Sequence, residues 1–290
     1  MSKGKTLIIV QFATLILWWV LLTLIHSKQG YGNSLFGFGM GLYALVFGIS
    51  VSISAYRYNN HLPFRGPSAI SSAGIAFFGL GTILWYHFEV FNNISLPFPS
   101  VSDIFYVLQF PLSSFGLILL SSQLSKNGAS LNNPKEKDNY KNLIFVTLTY
   151  ISIIFLTTIF LTGYMFGGSL NPKNILEVYF PVESFSLTIL SAFVLLKFSK
   201  VWQKTSFIWF CFVVLGFFSW FIADAFFTYA VQTDTFYTAN YSDLLYTSGV
   251  FFMLLGHLGV LEGSKKEGFL SPVEPVFFAG YQSYTPVSLN

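Results

Sequence analysis

Apolar positions in this chain come in long unbroken runs separated by short polar links. The runs fall at 7–26, 35–56, 69–91, 101–124, 143–166, 175–198, 207–232 and 243–261. About 20 helical residues, at 1.5 Å each, cross a hydrocarbon layer of ~30 Å. The links carry turn chemistry, as in His26 to Gly30, Asn92 and Asn93, Gly167 to Ser169, and Thr233 to Ser242. The pattern predicts an all-α fold, a polytopic transmembrane bundle of about eight helices. Leu7 to His26 follows two lysines as a signal peptide would, but its apolar run exceeds a signal core of roughly 7–15 residues, so it reads as a retained span.

Composition agrees: 53% of the 290 residues are hydrophobic and only 9% are charged, against roughly 25% charged in soluble domains. Lipid is therefore the solvent, and the net charge of +3 gives no reason to expect nucleic acid as a partner. Charge placement is more telling. With eight spans and a cytoplasmic N-terminus, thirteen of the fifteen lysines and arginines fall inside, and only Lys28 and Lys173 fall outside. That bias predicts a multipass protein of the cell membrane with both termini cytoplasmic.

A repeat is also visible. Phe77, Gly81, Trp85 and Glu89 stand four apart in the third run, and Phe212, Gly216, Trp220 and Asp224 do so in the seventh, at a numbering offset of 135. Ser102, Asp103, Tyr106 and Gly116 return as Ser242, Asp243, Tyr246 and Gly256, at a numbering offset of 140. The expectation is two parallel four-helix repeats, 1–124 and 143–263. A cytoplasmic loop at 125–142 joins them, and a flexible cytoplasmic tail follows at 264–290. Four spans per unit keep both units in one orientation, related by an axis along the membrane normal.

The topology gathers Glu89, Asp103, Asp224 and Asp243 at similar depth near the extracytoplasmic face. Glu177 and Glu183 enter from the same side in the sixth run, with Pro181 between them as a kink, and Glu183 lies about 12 Å in at 1.5 Å per residue. Of these acids Glu89, Asp103, Glu183, Asp224 and Asp243 are the candidate ligand or cation site, together with Trp85, Trp220, Tyr106 and Tyr246 as rings over which a cation could rest. Each has a plainer reading. Asp103 and Asp243 follow Ser100 and Asn240 by three, as in a capping box. Glu89 and Asp224 either face a cavity or reach the headgroups or a neighbouring helix. Glu183 either handles a proton or a cation or bonds across helices, and the rings also suit an interfacial belt.

Other positions point to packing. Gly37, Gly41, Ala44 and Gly48 make a close-approach face on the second run. His257 reads as a hydrogen-bonded core histidine, His87 as interfacial, and Cys211 as a small buried apolar side chain. The sequons at Asn93 and Asn240 fall on outer links. No zinc-protease, nucleophile-elbow or P-loop motif occurs, no lysine lies mid-span for a Schiff base, and four scattered histidines argue against haem. No catalytic residue and no cofactor is expected, and whether a metal binds is left open.

The segment Pro99, Ser100, Asp103, Tyr106, Phe110, Pro111, Gly116 and Leu117 resembles a signature of uncharacterised archaeal multispan membrane proteins. It also resembles the N-terminal membrane-sensor regions of bacterial diguanylate cyclases and histidine kinases. The resemblance implies a sensing role with Asp103 and Tyr106 as positions of interest. The second unit departs from it, with Ala239, Val250 and Phe251 at the places of Pro99, Phe110 and Pro111. The residues after Glu262 are too few for an output domain, so the expectation is a membrane sensor or small-ligand-binding module. Its expected partners are the lipid bilayer and either a separate signalling protein or a second copy of the chain. The alternatives are a proton- or cation-coupled transporter and, third, a membrane-embedded lipid enzyme.

Overall fold

The computed structural model describes residues 2–26, 30–57, 64–92, 99–129, 140–197, 199 and 204–266. They form eight helices: α1 (Lys3–Leu24), α2 (Tyr31–Arg57), α3 (Arg65–Asn92), α4 (Val101–Ala129), α5 (Tyr140–Met165), α6 (Pro172–Lys197), α7 (Lys204–Gln232) and α8 (Tyr241–Lys266). All eight are long and apolar enough to cross a membrane. The molecule is an all-α multipass bundle.

Most helices run past the expected span ends, because a helix keeps its backbone hydrogen bonds into the headgroup layer and beyond. The largest extension reaches into the expected 125–142 loop. Helix α4 continues through Asn127 and Gly128 to Ala129, and α5 starts at Tyr140. Helix α8 likewise takes in residues 264–266 of the expected tail. Lys28, Asn93, Lys135 and the tail from 267 lie outside the described residues.

Helices α1 and α5 are the most hydropathic spans and the least covered, with 17% and 22% of their apolar windows buried. They form the lipid rim, where an apolar surface all round the helix suits a hydrocarbon solvent. Helix α1 packs on α2 and α8, and α5 packs on α6 and α4. Inside this rim α2 packs on α3, α3 on α4, α6 on α7, and α7 on α8. Helix α2 also touches α8, and α6 also touches α4.

The α2 glycine face packs on α3, as its spacing suggested. A Cβ at Gly48 would stand 2.7 Å from the Ala76 amide nitrogen and 2.9 Å from the Ser72 carbonyl oxygen. Only glycine lets these backbones approach so closely.

Polar contacts tie each end of the bundle. At the end where α1 begins and α8 finishes, Lys5 Nζ lies 3.1 Å from Glu262 Oε2 and 3.9 Å from the centre of the Trp209 ring. At the far end the α7–α8 link is held by two side chains. Trp19 Nε1 donates to the Asn240 carbonyl at 3.2 Å, and Asn33 Nδ2 donates to the Thr238 carbonyl at 2.9 Å.

Candidate functional site

The site is assembled at the far end, beginning with two helix starts. On α4 the Ser100 hydroxyl accepts from the Ser102 amide at 3.2 Å, while the Ser100 amide donates back to Asp103 Oδ2 at 2.5 Å. This is the reciprocal capping pair that the sequence suggested. On α8 Asn240 Oδ1 accepts from the Ser242 and Asp243 amides at 2.8 and 3.3 Å. Asp243 Oδ2 accepts from the Ala239 amide at 2.6 Å, one residue earlier than in a standard box. Ala239 has φ 65°, a left-handed backbone unusual for alanine. Both aspartates are buried, so capping fixes their position without placing them in solvent.

One turn further in, each helix presents a tyrosine to its partner. The Tyr246 hydroxyl of α8 donates to Asp224 Oδ1 of α7. The Tyr106 hydroxyl of α4 donates to Thr82 Oγ1 of α3 at 3.3 Å. Phe78 of α3 lies between the two tyrosines, with ring centres 5.5 Å from Tyr106, 5.7 Å from Tyr246 and 4.7 Å from Trp220. Trp220 is pinned by its indole nitrogen, which donates to the Tyr246 carbonyl at 3.2 Å.

Helix α6 supplies the remaining acid. It continues through Pro181, whose missing amide hydrogen frees the Glu177 carbonyl four residues back. Thr228 of α7 fills that vacancy, its hydroxyl donating to the Glu177 carbonyl at 3.2 Å. The Glu177 side chain is occupied at the rim, 3.7 Å from Lys173 Nζ and accepting from Gln232 Nε2 at 3.4 Å. Glu183 lies deeper and is 4% exposed, and its Oε2 has no hydrogen-bond partner.

These groups line one cavity. Asp103, Glu183, Asp224 and Asp243 face it together with Trp85, Tyr106, Trp220 and Tyr246. Eight of the nine candidate residues therefore meet around a single space. Glu89 is placed on the last turns of α3, but its side chain lies outside the described residues. The space open to the centre of a water molecule is about 80 Å³, against roughly 10–15 Å³ for one buried water. No lysine, arginine or histidine lines it among the described residues.

Sequence reasoning missed part of the wall: Met40, Phe78, Thr82, Tyr86, Gln109, Phe180, Phe227 and Phe236. It also matched α3 to α7 at a spacing the contacts do not follow. A Cβ at Gly81 would meet the Ser102 carbonyl, whereas one at Gly216 would meet the Gly249 carbonyl, deeper along α8. The residue of α3 placed as Gly216 is placed is Gly74, which meets the Gln109 carbonyl at 3.1 Å against 2.8 Å for Gly216. Likewise Gly116 meets the Pro67 carbonyl at 3.0 Å, and Gly256 meets the Trp209 carbonyl at 2.8 Å. The tyrosine bonds fit the same spacing, Thr82 standing where Asp224 stands. These particular contacts of α3 and α7 correspond at a numbering offset of 142, and those of α4 and α8 at 140. At these offsets the cavity wall pairs Phe78 with Trp220 and Trp85 with Phe227.

The other candidates keep their plainer roles. His257 is buried with Nε2 3.0 Å from Ser71 Oγ, beside a second void that also touches Ser68 and measures about 10 Å³, the room of one water. His87 is exposed against Phe91. Cys211 is a free thiol and only half-buried, less enclosed than an apolar core role implied. Among the described residues no group of three or more His, Cys, Asp or Glu side chains could hold a metal ion. No family model, no curated protein and no solved structure matches this chain.

Proposed function

We propose that this chain is a membrane-embedded small-ligand-binding protein of the sensor class, whose far-end cavity opens to the extracytoplasmic side and receives a cation. The observation that carries the reading is the convergence of four carboxyl groups and several aromatic rings on one cavity with no basic residue in its wall among the described residues. Buried acids inside a membrane protein are costly and mark ligand or ion sites. The thirteen-to-two distribution of basic residues supports an extracytoplasmic position for that end.

Two four-helix repeats, α1–α4 and α5–α8, account for the cavity's place. The matched contacts of α3 with α7 and of α4 with α8, and the matched neighbours of α1 and α5, support an approximate twofold axis along the membrane normal. The cavity then sits between the repeats, where a ligand touches both and can alter their fit. A signal would leave through the cytoplasmic links to a separate protein or a second copy of the chain.

The test is binding to the purified protein and to Asp224→Asn, followed by thermal unfolding in detergent. A cationic compound should raise the midpoint of the wild type and do so less in the variant. Equal responses to cations and anions in both proteins would remove the basis for a cation site.

One observation favours proton-coupled transport as a second reading. Buried polar groups lead from the cavity toward the terminal end along α3 and α4. Gln109 Nε2 donates to Ser113 Oγ at 3.2 Å, the Ser72 and Ser114 hydroxyls are buried without partners, and Ser71 meets His257. The equivalent positions of the second repeat include Val213, Val214, Met253 and Leu254, so the track belongs to one half alone. Proteoliposomes with an internal pH dye distinguish the readings: ligand-dependent proton entry supports transport, and ligand binding without flux supports sensing.

A further inference from the structure

We infer that the ligand is a small monovalent organic ammonium ion, seated between the Glu183 carboxyl and the ring cluster centred on Phe78. This deepens the cation-site reading and rests on it.

The charge of the ligand follows from which carboxyl oxygens are already used. Asp103 and Asp243 each accept from a backbone amide at their helix starts, and Asp224 accepts from Tyr246. Glu183 interacts with Tyr179, yet its Oε2 is buried in the cavity wall with no partner. A buried acceptor left empty costs free energy, so a donor or a positive charge is expected opposite it. Glu183 shares the cavity with Asp103, Asp224 and Asp243, and no basic residue lines it among the described residues, so its wall favours a positive charge over an anion.

The organic character follows from the rest of the wall. Phe78 has Tyr106, Tyr246 and Trp220 within 5.7 Å, and Tyr106 meets Phe180 edge-on at 6.3 Å. Such a cluster solvates alkyl groups bearing a positive charge through the ring faces. Among the described residues no three acids stand close enough together to hold a metal ion such as calcium, which takes six to eight oxygens. The free space exceeds one water several times over, which suits an ammonium ion with a few carbons and leaves a bare metal ion loosely held.

The experiment uses the purified full chain in detergent, titrated with isobutylammonium, tetramethylammonium, tert-butanol, sodium and calcium, with unfolding midpoint and calorimetry as readouts. An organic ammonium ion should bind saturably and raise the midpoint, while tert-butanol and the metal ions at equal concentration should not. Glu183→Gln should weaken binding by tenfold or more. Phe78→Leu, which leaves every acid in place, should weaken it by about 2- to 30-fold, so the test survives if the glutamate variant folds poorly. Binding of isobutylammonium alone indicates that N–H donation to Glu183 is needed, and binding of both ammonium ions indicates that charge and rings suffice. Saturable binding of sodium or calcium alone overturns the ammonium assignment and leaves the cation site standing. Binding of tert-butanol alone, or of none of the five, overturns both.

Discussion

Replacing Asp224 tests the proposed equivalence of the two halves. In α7 the Asp224 carboxyl accepts from Tyr246, and in α3 the neutral Thr82 accepts from Tyr106 in the matching place. Asp224→Thr should therefore keep an acceptor for Tyr246 and cost no more than about 1 kcal/mol. Asp224→Leu leaves the Tyr246 hydroxyl facing an apolar side chain and should cost about 1–3 kcal/mol, the usual penalty of an unsatisfied buried group. Trp220, which donates to the Tyr246 carbonyl one turn away, should register the loss as a change in indole fluorescence. The assay is denaturant unfolding in mixed micelles, followed by fluorescence and circular dichroism. Equal destabilisation by Thr and Leu would refute the equivalence of Thr82 and Asp224, and an unchanged Asp224→Leu would refute the importance of the tyrosine bond.

Other perturbations test the packing. Gly256→Ala should destabilise by about 1–3 kcal/mol in the same assay, because the new Cβ would stand 2.8 Å from the Trp209 carbonyl and 2.9 Å from the Val213 amide nitrogen. Thr228→Val should cost about 1 kcal/mol by removing the donor to the Glu177 carbonyl. Most of that should vanish in a Pro181→Ala background, where residue 181 regains the amide hydrogen that reaches the same oxygen. A double-mutant cycle reads the coupling directly. Lys5→Met should lower the unfolding midpoint by stranding Glu262 in a partly buried position, and adding Glu262→Leu should restore most of it.

Much of this arrangement is legible in the sequence because bilayer thickness and helix caps impose strong local rules. Run length marked all eight helices, and the serine and asparagine three residues before Asp103 and Asp243 marked two helix starts. The same reasoning gathered most of the cavity acids and rings at one end.

Depth along α3 was harder to read. Matching Trp85 with Trp220 and Glu89 with Asp224 slides α3 against α7 by seven residues. Seven residues are close to two turns and rotate a helix face by only about 20°, so the two alignments share a face and differ in level by about 10 Å. Comparing close-packing glycines, Gly74 with Gly216 and Gly116 with Gly256, would have brought out Phe78 and Thr82. Gln109 and Phe236 lacked any such signal, since they have no counterpart in the wall and are placed by tertiary packing alone.

The most direct test of a cation cavity between the two halves is a crystal structure of the protein with tetramethylarsonium, located by its anomalous scattering. The account predicts one arsenic peak inside the cavity, within about 6 Å of the Phe78 ring centre and beside the Glu183 carboxyl. A cavity without arsenic at saturating concentration, or a peak only at the terminal end beside Glu262, would contradict it.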